Sequence, residues 1–333
     1  MSAPRTIVVI TSDPEGPVIR RRVLAFRPQL EARDITIDIA PWPKGWMKRK
    51  ETLARAEKAG HAWVVSRLLR VADVERLRER VRRLLFDFDD ALPFRDTARG
   101  AGPSSTRTER FRAIVAAADS VSAGNAYLAR LALDARSEVK VIPTAVVVTD
   151  GPPTPEPPEP PAILGWIGST ATLPYLAAKM LTFAAVVTMG KTFRLRVIAD
   201  AFPSMPPGIP VDEIRWTEAG ENAALDGIHV GLAPLPDDPW TRGKCGLKVF
   251  QMLARGRPVI ANAVGVQTEQ VLPGVTGYLA KDDPEFVDAI LALLRDPEQR
   301  RRMGRAAKQD ARDRWSVAAW APKVVKFVEG AIA

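Results

Sequence analysis

Seven prolines stand within the eleven residues Gly151-Pro-Pro-Thr-Pro-Glu-Pro-Pro-Glu-Pro-Pro161. Proline fixes φ and lacks the amide donor, so neither a helix nor a central strand can run through them. A stiff extended connector is what remains. It cuts the 333-residue chain near its middle, leaving two parts that are each long enough to bury a core. The expected division is a first domain over 1–150, a linker over 151–161, a second domain over 162–315 and a final helix over 316–333.

In both parts short β-branched runs alternate with helical patterns, which predicts parallel sheets with helices on both faces. Strands are expected at Thr6–Thr11, Ile35–Ala40, Ala62–Ser66, Leu84–Phe88, Ser120–Ala123 and Val139–Ile142. In the second part they fall at Ala162–Ile167, Arg194–Ile198, Glu213–Trp216, Ile228–Leu232, Val259–Ala261 and Gly277–Leu279. Helices are expected at Gly16–Glu31, Ala72–Arg83, Asn125–Ala135, Thr172–Val187, Gly246–Ala254, Pro284–Arg295, Pro297–Arg312 and Val317–Ile332. The fold class is therefore α/β with two doubly wound, Rossmann-like domains. Such sheets take ligands in the crevice beyond the carboxyl ends of their strands. In the last helix Val317, Trp320, Val324, Val325 and Val328 follow helical spacing, and crossing back to the first domain is one of its two options. No GxGxxG follows the first strand, which counts against a nicotinamide-dependent enzyme.

Charge is distributed unequally. Residues 1–150 hold 27 Lys and Arg against 19 Asp and Glu, and so carry most of the formal net charge of +9. An anionic partner is expected on that side, with plain solubility as the alternative. No apolar run is long enough to span a bilayer, and the first residues form a strand rather than a signal peptide. The single cysteine, Cys245, excludes an intrachain disulfide and a cysteine-cluster metal site. A cytoplasmic location is expected.

Function concentrates in Gly243-Lys-Cys-Gly-Leu-Lys-Val-Phe-Gln251 and the residues up to Ala261. A turn with Gly243 and Gly246 opens an apolar helix, Gly256 closes it, and Pro258-Val-Ile-Ala261 begins a strand. The start of a helix presents unpaired amides and partial positive charge, which suits a phosphate. Lys244 and Lys248 would add full charges beside the amides of Gly246 and Leu247, and glycine at 246 would let an anion approach the backbone. The competing view is two exposed lysines, an arrangement that the helix dipole disfavours.

With these parts assembled, the chain resembles the glycosyltransferases of GT-B fold, specifically the large retaining family 4. Gln251-Met-Leu-Ala-Arg-Gly-Arg-Pro-Val-Ile-Ala261 is similar to that family's E-A-M-A-x-G-x-P-V-I-A run. Gly265-Val-Gln-Thr-Glu-Gln-Val-Leu-Pro-Gly-Val-Thr-Gly-Tyr-Leu279, Ala224-Leu-Asp-Gly-Ile-His-Val-Gly-Leu-Ala-Pro-Leu235 and Gly165-Trp-Ile-Gly-Ser169 resemble the segments around it. Upstream, Gly16-Pro-Val-Ile-Arg-Arg-Arg22, Phe86-Asp-Phe-Asp-Asp-Ala91 and Gly124-Asn-Ala-Tyr-Leu-Ala129 match a narrower branch. The resemblance implies two domains facing a central cleft, with a nucleotide-diphosphate sugar on the second and a glycan, lipid-linked or other hydroxyl acceptor on the first. It also implies hexosyl transfer with retention and no essential metal or cofactor. Two departures stand out. Gly243 and Gln251 occupy the positions of the family's paired glutamates, and neither histidine, His61 or His229, lies where the family places one.

Residue roles follow from these two sources. Gly168, Ser169, Lys244, Gly246, Leu247 and Lys248 are expected around the donor diphosphate, although Gly168 and Ser169 also suit a simple tight turn. By resemblance Gln251 holds the ribose hydroxyls, and its amide both donates and accepts. Glu269 either contacts the donor or caps the following short helix. Cys245 is expected to be a small packed residue.

Asp87, Asp89 and Asp90 crowd one strand end, where clustered carboxylates raise each other's pKa and suit deprotonation of an acceptor or sugar binding. Rival roles are a magnesium site and salt bridges with Arg20, Arg21, Arg22 or Arg95. Gly16, Arg20, Arg22 and Asn125 complete the acceptor side, with helix capping as the other role for Asn125. Trp42-Pro-Lys-Gly-Trp-Met-Lys-Arg-Lys50 suits either the headgroup zone of an anionic inner membrane leaflet or a solvated loop. A non-catalytic nucleotide- or sugar-binding module is the alternative to an enzyme. Nucleic acid is not an expected partner, because no stacking series or recognition motif is present.

Overall fold

A computed structural model describes residues 5–136, 138–204 and 208–333. It contains two compact units, Met1–Ala145 with Asp238–Cys245 and Val317–Ala333, and Val146–Asp237 with Gly246–Ser316. These bounds differ from the expected ones in two respects. The proline-rich segment lies inside the second unit, and a short piece of the second half belongs to the first unit.

The first unit is built on β1 (Arg5–Thr11), β2 (Ile35–Pro41), β3 (His61–Val65), β4 (Arg83–Phe88), β5 (Ser120–Ala123) and β6 (Lys140–Val141). All pair in parallel, in the order β2-β1-β3-β4-β5-β6. The expected strands are all present; β1, β3 and β4 are near-continuous apolar runs buried on both faces, whereas the edge strands β2 and β6 keep exposed residues. One face of the sheet packs around Phe86, Phe88, Phe111 and Leu128. The other receives the helix Val317–Ile332, which buries Val324, Val325, Val328 and Ile332 against Ile7, Val9 and Phe26.

Several helices depart from expectation. Residues 16–31 form the helix Pro17–Arg22, a 3-10 turn Leu24–Phe26 and the helix Arg27–Glu31. Pro28 cannot donate the bond that a single helix would require. The helix expected to reach Arg83 stops at Arg80, since Arg83 opens β4. Two further helices, Trp46–Ala59 and Ser105–Ala117, have no counterpart in the sequence expectation.

The second unit holds β7 (Ala162–Ile167), β8 (Phe193–Ala199), β9 (Val211–Arg215), β10 (Val230–Ala233), β11 (Val259–Asn262) and β12 (Gly277–Ala280). Their order is β12-β11-β10-β7-β8-β9, again all parallel. The chain reverses direction across the sheet between β7 and β10, and an open α/β sheet binds ligands at such a point. The helix Leu247–Ala254 packs between β10 and the helix Pro297–Trp315. Residues 172–187 are divided into Leu173–Ala177 and Met180–Thr188.

The proline-rich segment is tied down by polar contacts. Arg257 donates to the Pro155 carbonyl at 3.2 Å, and Lys308 donates to that of Pro152 at 2.9 Å. Arg300, fully buried, pairs with Glu156 at 3.1 Å and Glu159 at 2.7 Å. Proline removes the segment's own donors, so arginine and lysine side chains satisfy its carbonyls instead. Among the described residues no helix is long and apolar enough to cross a membrane.

Candidate functional site

In the second unit, the loop after β7 and the start of Leu247–Ala254 meet at the strand-order switch. Lys248 Nζ donates to Thr172 Oγ1 at 2.8 Å and lies 4.2 Å from the Trp166 ring centre. Thr172 Oγ1 also accepts from the Ser169 amide at 3.2 Å. Asp200 takes both the amide and the hydroxyl of Thr170, at 2.7 and 2.8 Å. The loop is thereby fixed before any ligand arrives. A Cβ at Gly168 would stand 2.2 Å from the Trp166 ring and 2.6 Å from Lys248 Nζ, so only glycine permits this approach.

Gly246 opens the helix at φ +66° and has no side-chain cap. A Cβ there would meet the Gln270 amide at 2.1 Å. No side chain of residue 246 caps the first turn, and the start of a helix suits an anion. Gln251 lies one turn further on and is buried. Glu269 is exposed on the short helix Gln267–Gln270, whose N-cap is Val266 without a side-chain bond, so capping is not its role.

Nearby, Gln267 Nε2 donates to the Ala233 carbonyl at 3.1 Å and Asn262 Oδ1 accepts from Leu235 N at 3.0 Å, fixing the exit of β10. Trp166, Thr172, Asn262, Gln267 and Gln270 were not singled out from sequence. Their only signal was a position at or beyond strand ends.

The chain passes from one unit to the other between Cys245 and Gly246. Lys244 accordingly belongs to the first unit, where its Nζ donates to Asp90 Oδ1 at 2.8 Å and lies 4.3 Å from the Trp240 ring centre. Lys248 belongs to the second. Asn125 is both cap and clamp. Its Oδ1 accepts from Leu128 N at 2.8 Å, while Nδ2 donates to the carbonyls of Gly243 and Lys244 at 3.3 and 3.2 Å. A Cβ at Gly243 would stand 2.6 Å from that of Ala91, which accounts for glycine at the position of an expected acid. Cys245 is packed, with Sγ 3.2 Å from the Asp89 carbonyl, and burial pushes its thiol pKa up.

The three aspartates separate into distinct roles. Asp87 is buried, accepts from Arg22 Nε and Nη2 at 2.5 and 2.6 Å, and accepts from Ser122 Oγ at 2.5 Å. Burial works against the Arg22 charge, but Asp87 more than restores it. Both groups are committed to each other, as in the salt-bridge alternative.

Asp89 is different. Burial first, and the neighbouring Asp90 second, raise its pKa to about 6 against the pull of Arg22 and Ser66. The Ser66 hydroxyl donates to Asp89 Oδ1, and the Asp89 amide donates back to Ser66 Oγ at 3.1 Å. Ser66 itself sits at φ +45°, in a region non-glycine residues seldom enter.

Gly16 is the N-cap of Pro17–Arg22, where a Cβ would meet Asp13 Oδ2 at 2.4 Å. Arg20 is half-buried on the same helix. His61 and His229 lie at the amino ends of β3 and β10. His61 Nδ1 is 3.2 Å from the Thr6 carbonyl. His229 bridges Ile163 N and the Pro157 carbonyl at 2.9 and 3.0 Å. Among the described residues no three His, Cys, Asp or Glu side chains are grouped to hold a metal ion.

Comparison with known proteins finds a family match for one segment and a fold match for nearly the whole chain. Residues 239–310 match the family described as Glycosyl transferases group 1. A 67-residue stretch is 42% identical to the trehalose synthase of Pyrococcus horikoshii, covering 20% of this chain and 16% of that protein. A 68-residue stretch is 43% identical to the D-inositol 3-phosphate glycosyltransferase of Kribbella flavida, again covering 20% and 16%. The matches thus span about a sixth of the length of these curated relatives.

Over nearly the whole chain, the fold is similar to a sucrose-phosphate synthase from Thermosynechococcus elongatus (TM-score 0.71, 17% identity, 98% of each chain). It is also similar to Anabaena HepE in complex with UDP-glucose (TM-score 0.66, 13% identity, 98% and 99%). At these identities the likeness concerns the fold, that of a two-domain α/β GT-B protein.

Proposed function

We propose, from the premise that residues 239–310 are a group 1 glycosyl transferase segment, that this protein is a hexosyltransferase using a nucleotide-diphosphate sugar. Breaking the bond between the anomeric carbon and the diphosphate leaves negative charge on phosphate oxygens. Preorganised donors aimed at that charge are the largest lever on the barrier. The observation that carries this reading is the corner formed by Gly168, Ser169, Lys248 and the amides at Gly246 and Leu247. Its backbone is fixed, two of its glycines cannot be replaced without collision, and its ammonium lies over an aromatic ring.

In this scheme the diphosphate leaves towards Lys248, and the acceptor oxygen bonds to the anomeric carbon with retention. A hydroxyl proton of an acceptor held on the first unit passes to Asp89, whose raised pKa suits a group alternating between acid and base near neutrality. Gln251, buried behind the corner, holds the ribose hydroxyls. Glu269 reaches the donor sugar, and no metal is required. Asp87 orients Arg22 rather than reacting.

The acceptor is a hydroxyl on a glycan or lipid-linked carrier. A cytoplasmic location with peripheral attachment to an anionic leaflet is supported by Trp46 and Met47, exposed beside Lys48 and Lys50. Calorimetric titration with UDP, GDP and ADP tests the donor reading. One of them binds with a dissociation constant below about 1 mM, which corresponds to roughly 4 kcal/mol; silence from all three would sink it.

A further inference from the structure

The helix Val317–Ile332 is apolar on more than the face that the sheet covers. Val324, Val325 and Val328 are buried in the core. Trp320 and Phe327, seven residues apart and so on one side of the helix, pack against the same core yet stay half-exposed. With Val141 and Ile142 they line a cavity of about 550 Å³, a size within the roughly 300–1,000 Å³ of small-molecule sites. Val141 belongs to the outermost strand, β6, and is 42% exposed.

This cavity lies wholly within the first unit, and none of the residues assigned above to donor or acceptor lines it. Its helical wall runs from Trp320 to Ala331, about 16 Å of helix. An elongated apolar wall suits a chain better than a compact ring.

The charge left on that wall is positive. Lys323 and Lys326 line the cavity one turn apart and are exposed, with Lys323 Nζ 4.0 Å from the Trp320 ring centre. Neither makes an ion pair among the described residues. The nearby acids are engaged elsewhere. Asp119 accepts from the Leu84 amide at 2.7 Å and lies 3.3 Å from Arg78, Glu138 pairs with Lys140 at 2.5 Å, and Glu329 faces Arg33 at 3.9 Å. Arg136 is spent on the carbonyls of Ala118, Asp119 and Glu138. Two like charges one turn apart repel, and an anion between them relieves this.

Gly330 gives an independent sign. It stands inside the helix and lines the cavity, and a Cβ there would meet nothing within 4 Å. Neither a positive φ nor a close neighbour demands glycine at this position, although glycine weakens a helix relative to alanine. Keeping the cavity open is the use that remains.

We infer that this cavity binds a single-chain anionic amphiphile. The chain lies along Trp320, Phe327 and Val141, and a carboxylate or phosphate head meets Lys323 and Lys326, whose ammonium groups accept either head as point charges. The site does not depend on glycosyl transfer.

The full-length protein labelled with 15N-tryptophan tests this by nuclear magnetic resonance, with the Trp320 indole signal assigned through Trp320→Phe. Decanoate and decyl phosphate, below their micellar concentrations, are expected to move that signal saturably. Inorganic phosphate supplies the head alone and decanol the chain alone, and each should bind at least about tenfold more weakly, since charge and apolar burial both contribute. Lys323→Gln combined with Lys326→Gln should weaken decanoate about tenfold, the scale of lost charge-assisted hydrogen bonds.

Gly330→Phe should abolish binding by filling the cavity. Gly330→Ala, with thermal unfolding measured beside it, should melt no lower than the parent protein, which shows that glycine is not there for the fold. A Trp320 signal indifferent to both amphiphiles, decanol binding as tightly as decanoate, or an affinity unchanged in Gly330→Phe overturns the site. Nucleotide titrations should be the same in all these variants, so failure here and failure of the donor reading are told apart.

Discussion

Gly246 and Gln270 compete for one volume. The Gln270 amide stands where a Cβ on residue 246 would project, 2.1 Å away, and Gly246 holds φ +66°. Gly246→Ala therefore meets two penalties. The left-handed backbone costs about 1–2 kcal/mol, and displacing a buried amide adds to it. Denaturant unfolding should show a loss exceeding 1 kcal/mol, together with weaker nucleotide binding because the first turn has moved. An unchanged midpoint would show that the corner adapts.

Lys248 supplies the full positive charge in that corner. Lys248→Ala should lower kcat/KM for the donor by about 10²-fold, the usual effect of removing one preorganised donor from a developing anion. Lys248→Met preserves much of the stem over Trp166 without the charge and should lose as much. Steady-state kinetics with the nucleotide sugar found by titration decide it. Equal rates for Met and Lys would remove the charge from the mechanism.

Asp89 and Ser66 predict a pH signature. Because the folded pKa of Asp89 is raised, the native state holds its proton more tightly than the unfolded chain does. Stability from this group is present below its ordinary pKa and is lost as pH rises towards about 6. Asp89→Asn should flatten that decline in urea midpoints measured across this window.

Activity should run the other way, rising with pH through about 6 as the base ionises. The Ser66 hydroxyl favours the ionised form, so Ser66→Ala should move the acid limb of the rate profile to higher pH. A limb that stays in place would separate Ser66 from the proton transfer.

Asn125 offers a cleaner separation of two roles within one side chain. Asn125→Asp keeps the acceptor that caps Ala126–Ala132 but loses the amide that donates to Gly243 and Lys244. It should cost about 1–3 kcal/mol, the scale of leaving buried polar groups unpaired. Asn125→Ala, which also loses the cap worth about 1 kcal/mol, should cost more. Thermal unfolding of both variants checks the order.

Arg300 should behave as a buried ion pair does. It is fully enclosed and faces Glu156 and Glu159, so Arg300→Met strands two carboxylates and should destabilise the protein by about 3–5 kcal/mol. Restoring neutrality with Glu156→Gln and Glu159→Gln should recover part of the loss. Absence of recovery would mean that packing, not charge, is what Arg300 provides.

Much of the architecture was legible because strands buried on both faces advertise themselves. Ile7–Ile10 and Val259–Ala261 are apolar throughout and stand in the core. The helix Trp46–Ala59 was not legible, for a physical reason: its buried face is Arg49, Thr52, Leu53 and Ala56. Half of that stripe is polar, satisfied by local carbonyls and Asp73, so no apolar period marks it.

The glycine turn and Lys248 could be found from local spacing alone. Pairing Lys244 with Asp90, 154 positions apart in sequence, could not, because no local pattern states which core a short turn will join. The same limit concealed the destination of the last helix.

The turn 238–245 has one further consequence. Asp238 accepts from Thr97, Tyr127 donates to the Pro239 carbonyl, and Asn125 holds the two residues beyond Arg242. A gene cut at the prolines would therefore yield an amino-terminal fragment missing both this turn and the helix that shields Ile7, Val9 and Phe26. Such a fragment should be recovered as insoluble protein, and supplying the other fragment during synthesis should rescue it, so these halves are heritable only as a pair.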